Sequence, residues 1–156
     1  MLKDGGGALT KLKYWTFRKP VDAAAAPFIQ EPPPVLTFAK DADGRLRLHA
    51  VPPPGARELR LRLSPNTAVT IEEMNGVPGK LVLKPGGETL ISWSATPLGF
   101  DIVMRAAAPG AIDVGYSATL ERWPAGVTPL PKRPPDVMAF DTSDSTYVVG
   151  SRRFSW

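Results

Sequence analysis

Cysteine is missing from all 156 residues, which excludes disulfide staples, thiolate nucleophiles and cysteine-based zinc sites. Compartment stays open on that criterion. Long apolar runs are also missing: "AAAAPFI", from Ala23 to Ile29, falls far short of the roughly 18 residues that a membrane span needs. The opening "MLKDGGGALTKLK" follows its basic residues with glycine instead of an apolar stretch, so it does not read as a secretory signal. Room for helices is scarce as well. Eighteen prolines and fourteen glycines interrupt the chain so often that strands and turns are the expectation.

What is present suits one folded core. Hydrophobic residues make up 43% and charged residues 22%, too apolar for a disordered chain. A length of 156 residues is that of a single ordinary domain. The net charge of +4 raises the prospect of an anionic partner only slightly.

Period two dominates the patterning, and it sends alternate side chains to opposite faces of a strand. "RLRLHAV" sets Leu46, Leu48 and Ala50 against Arg45, Arg47 and His49; "RELRLRL" sets Leu59, Leu61 and Leu63 against Glu58, Arg60 and Arg62. With "PPPG" between them as a turn, these runs read as neighbouring strands. "FDIVMRA" and "AIDVGYSATL" are two more one-sided strands, the first with Val103 out of place on its polar face. Weaker candidates span Val35 to Ala39, Ala68 to Met74, Lys80 to Lys84, Thr89 to Ala95 and Tyr147 to Ser155. "DADG", "NGVPG" and "KPGG" supply turns.

The fold class expected is therefore all-β: an antiparallel β-sandwich of about eight or nine short strands with proline-rich loops. Residues 1–34 read as a tether, either partly extended or holding a short helix around Asp22 to Gln30. The sandwich covers 35–156, with 123–138 as a proline-rich strap and 147–155 as the closing strand.

Reactive chemistry is thin. His49, the lone histidine, lies on an arginine-rich polar face without an orienting carboxylate or a nucleophile evident in the sequence. Glu72 and Glu73, adjacent in a strand, are expected to point to opposite faces. "DADG" and "DTSDST" lack the full spacing of a calcium loop, and no phosphate-binding or dinucleotide motif occurs. No catalytic, cofactor-binding or metal-ligating residue is assigned. If the two arginine-bearing strands pair, Arg45, Arg47, Arg60 and Arg62 share one face that could touch anionic lipid headgroups. Nucleic acid is disfavoured because aromatic residues are not interleaved with that face. Trp15, Trp93 and Trp123 are candidates for an aromatic ligand platform, with a core position as the other reading of Trp93.

From Met74 onward a pattern emerges: an "NG" turn after a strand, an aromatic-bearing strand, "GFDIV" followed by a "PG" turn, then "RPPDVM" and the closing "DSTYVVGSRRF". In this spacing the chain resembles the C-terminal domain of bacterial membrane-anchored di-zinc aminopeptidases, relatives of the endoplasmic-reticulum metallopeptidases. The likeness covers about the last 85 residues and loosely the earlier strands. It implies an extracytoplasmic, non-catalytic accessory domain, structural or substrate-presenting, whose partners are the peptidase and membrane domains of the same parent chain. None of that family's metal ligands has a counterpart here, so no zinc is implied for this domain. The alternative is a free-standing carbohydrate- or peptide-binding module.

Overall fold

The computed structural model describes residues 10–17, 19–23, 31–94, 97–124, 136 and 145–156, and the chain divides into two units, 1–30 and 31–156. All regular structure among the described residues is β, in three antiparallel sheets.

The first unit contains a small hairpin of β1 (Thr10–Leu12) and β2 (Val21–Ala23). A cross-strand ion pair, Lys11 to Asp22 at 2.7 Å, joins opposed residues. Asp22 and Ala23 thus belong to a strand, not to the start of a short helix; the rest of that expected helix, 24–30, lies outside the described residues.

The second unit is the sandwich, nine strands in two sheets. One sheet has five strands in the order β3-β4-β9-β6-β7: β3 (Val35–Lys40), β4 (Leu46–Val51), β9 (Phe100–Ala106), β6 (Val69–Met74) and β7 (Val77–Leu83). The other has four in the order β11-β10-β5-β8: β11 (Thr146–Ser155), β10 (Ala111–Leu120), β5 (Ala56–Pro65) and β8 (Thr89–Ser94). With the N-terminal hairpin the described residues hold eleven strands, above the eight or nine expected. Most of the strap, 125–135 and 137–138, lies outside the described residues.

Alternation explains the core. Leu36, Leu46, Leu48, Ile71, Ile102 and Met104 from the five-stranded sheet form one buried cluster with Leu59, Leu61, Leu63, Ile112 and Val114 from the four-stranded sheet. Two apolar faces are thereby removed from water against each other, the main stabilising term of any sandwich.

One expectation fails here. β4 and β5 do not pair: β4 lies between β3 and β9, and β5 between β10 and β8. "PPPG" permits the crossing, and burial of both leucine stripes in one core selects it. Three consecutive prolines offer no N–H for a continuing ladder, and the chain turns through Gly55 into the opposite sheet. The leucine stripes of the two strands consequently meet across the core instead of lying side by side.

Two irregularities of the pattern also find their reasons. A register shift between Ile71 and Glu73 inserts an extra residue in β6, so Glu73 pairs with Val103 on the solvent side, where Glu72 also lies bonded to Arg105. The expected opposition of these two carboxylates is corrected by that bulge. Val103 itself is buried in the middle of this outer face, between β4 and β6. On β11, Gly150 interrupts the apolar face because it stands opposite Tyr116; a Cβ there would come within 2.3 Å of the tyrosine hydroxyl. The same strand closes the side of the sandwich, its Phe154 ring stacked on Phe38 of β3 at 5.0 Å, with Trp156 6.1 Å from that ring. Trp156 also donates from Nε1 to the Ala108 carbonyl, at 2.9 Å.

Candidate functional site

Because β4 and β5 occupy different sheets, the four arginines divide between opposite outer faces. On the five-stranded sheet Arg45 and Arg47 converge on Asp41, at 3.2 and 3.3 Å, and Arg45 also reaches Asp43. The "DADG" turn builds this cluster: Asp41 Oδ1 accepts the N–H groups of Asp43 and Arg45, leaving Oδ2 to the guanidinium groups. Partial desolvation pushes the Asp41 carboxyl up, yet the Arg45 N–H and the charges of Arg45 and Arg47 outweigh it and hold the group below its ordinary value of 3.8. On the other sheet Arg60 lies 2.9 Å from Glu58 and Arg62 3.3 Å from Glu88. The Arg60 contact is an ion pair whose Nε–H is not aimed at the carboxylate. A single four-arginine surface therefore does not exist, and each pair of arginines already has carboxylate partners.

His49 gains what the sequence seemed to deny it. Asp101 lies directly across from it on β9, and His49 Nδ1 is 2.9 Å from Asp101 Oδ1. The aspartate is held in turn by the hairpin between β6 and β7, where Asn75, at φ 48°, accepts the Asp101 N–H at 2.7 Å and donates its own N–H to the Asp101 carbonyl at 2.9 Å. A separation of 52 residues concealed this pair. With Nδ1 donating to the carboxylate, the neutral ring keeps Nε2 as an acceptor toward solvent. Thr37 is the residue opposed to His49 on β3, and no hydrogen bond joins its hydroxyl to the ring. The pair is an oriented imidazole on an open sheet face. Among the described residues no cluster of three or more histidine or acidic side chains could hold a metal ion.

Trp93 packs against the core with its ring 5.3 Å from Phe100, which settles its place in favour of the core. Trp15 belongs to the first unit, beside Tyr14 at 5.7 Å, and Trp123 is partly exposed just after β10.

Concave surface occurs elsewhere, in a place that no alternation pattern singles out. A groove of about 490 Å³ at one end of the sandwich is lined by Pro32, Pro33, Pro52, Pro53, Pro54 and Pro97, with Val35 and Val51 at its base strands. Beside its start, Glu31 receives a two-pronged hydrogen bond from Arg122, both contacts at 2.8 Å, fixing the entry of the chain to the exit of β10. Proline richness in the sequence was the available signal, but it marked loops and gave no hint that they converge. Comparison with protein-family models, with curated proteins and with solved structures yields no match for this chain.

Proposed function

We propose that residues 31–156 form a non-catalytic accessory domain of a larger, membrane-tethered zinc peptidase working outside the cytoplasm, where the domain braces the protein or presents substrate. The observation that supports this reading is how the sandwich disposes its charge. Arginines on both outer faces are tied to carboxylates on the same sheet, and so the sheets serve as a scaffold instead of converging on a reactive pocket. Anionic lipid headgroups are a weaker partner than the strand pattern suggested, because only one arginine pair could face a bilayer at a time.

The native gene product provides the test. It should fractionate with membranes, show chelator-sensitive aminopeptidase activity, and lose cleavage of long peptides or lose stability when 31–156 is removed. Recovery in the cytosolic fraction, or an absence of chelator-sensitive peptidase activity, refutes the proposal. A second reading, a free-standing peptide-binding module, draws on the proline-lined groove. Its carbohydrate-binding form is disfavoured, since Trp93 has its ring against the core.

A further inference from the structure

Strand β7 is the outer strand of the five-stranded sheet, and six of its seven residues are exposed. An outer strand leaves alternate backbone N–H and C=O groups unpaired, a template for one more strand. Sheet edges are usually blunted by proline, bulges or charge. In β7 the proline is Pro78, near the start, and the bulge follows it directly, Gly79 and Lys80 together standing against Glu72 of β6, so that regular pairing runs from Leu81 to Leu83. The following run, Gly79 to Leu83, holds no proline and no acidic residue, and it shows water Leu81 and Val82 at 45% and 54% exposure.

The charge of this edge is of one sign. Val82 is opposed to Thr70 on the solvent-side face, and by alternation Lys80 and Lys84 flank it there; Leu81 and Leu83 take the core-side face. Neither lysine has an ion-pair partner among the described residues, whereas Arg45, Arg47 and Arg105 on the outer face of the same sheet are matched to carboxylates. A second copy of the chain offers this edge no carboxylate: symmetric antiparallel pairing centred on Lys80 or on Val82 sets lysine against lysine, which is destabilising, and pairing centred on Leu81 sets Lys80 against Val82 and Lys84 against Pro78, leaving both charges unmatched.

We propose that the free side of β7 takes up an extended segment of a partner protein as a sixth strand, one that alternates apolar residues with carboxylates placed opposite Lys80 and Lys84. Main-chain hydrogen bonds would supply the attachment and the two lysines the selection. The inference concerns this edge alone and holds whichever parent carries the domain, so failure to bind would leave the accessory-domain reading standing.

The experiment is a titration of the isotopically labelled full chain, followed by amide chemical shifts, with the end-capped peptide Glu-Val-Thr-Val-Glu and its counterpart Lys-Val-Thr-Val-Lys. Shifts confined to Gly79–Leu83 and the adjoining β6 are expected, with the acidic peptide favoured about tenfold at low salt from two exposed ion pairs. The doubly substituted chain, Lys80→Glu with Lys84→Glu, changes only exposed side chains and should reverse that preference. Binding of neither peptide, equal binding of both, shifts centred on the proline-lined groove, an unreversed preference in the substituted chain, or sedimentation showing that the free chain dimerises through β7 would each overturn the proposal.

Discussion

Phe38 joins the two sheets at their closed side, and replacing it by alanine tests whether the end of the chain belongs to the core. Its half-buried ring stacks on Phe154, with planes 13° apart, and meets Trp156 at a tilt. Truncating a fully buried phenylalanine costs about 3–5 kcal/mol, so a half-buried one loses about 2 kcal/mol. The two aromatic contacts add about 0.5 kcal/mol each at the lower end of their range, giving about 3 kcal/mol in all. For a domain of this size that corresponds to a fall of about 10 °C in thermal midpoint, readable by calorimetry or circular dichroism. Phe38→Leu keeps most of the volume and should cost about half as much. The decisive comparison is a cycle with deletion of Phe154 to Trp156. Once those rings are gone, Phe38→Ala should cost about 1 kcal/mol less than in the intact chain. Strict additivity, or an unchanged midpoint on deleting the terminal residues, would refute the view that β11 anchors the sandwich through its aromatic end.

Three further outcomes follow from single positions. Gly99 sits at φ +75°, and a Cβ there would lie 2.3 Å from the Ala50 carbonyl oxygen, so Gly99→Ala should destabilise by about 3 kcal/mol or more; a denaturation midpoint within experimental error of the parent would show that the loop gives way instead. Ser117 is buried to 1% on the outer face of the four-stranded sheet, its Oγ without a hydrogen bond among the described residues, and Ser117→Ala should raise stability by about 1 kcal/mol; a loss in urea denaturation would reveal a bond to the hydroxyl. Asp41 has a folded-state pKa below its unfolded one, so its contribution is complete above the unfolded value and lost as pH falls through the lower folded value. Asp41→Asn should therefore melt below the parent at neutral pH, with the gap closing as pH falls past the ordinary carboxylate value and through the lower folded one. A gap independent of pH would mean that the turn, not the charge, is what the substitution disturbs.

The strands were legible because each buries one face, and burial of one face writes period two into the residues. β4, β5, β9 and β10 announce themselves in this way. β11 does not, since Gly150 and Arg152 fall among its apolar positions; only the ring of Tyr116 across the ladder accounts for the glycine. The lysine-bearing edge was half legible: Lys80 to Lys84 reads as a strand, but nothing in those residues says that it ends a sheet. His49 shows the limit most clearly. Its partner Asp101 alternates correctly in its own strand, and no local rule links two strands that far apart.

Composition and alternation alone determined that this protein is all-β, free of disulfides and built around leucine stripes, because those properties are set by residue type and by spacing within a strand. Which stripes face each other was decided by tertiary structure. "PPPG" fits a hairpin or a crossing between sheets equally well by sequence, and the choice rests on packing both apolar faces of β4 and β5 into one core. That choice separated the four arginines, oriented His49, and left β7 with an open edge, since surface chemistry in a sandwich follows from which strands become neighbours.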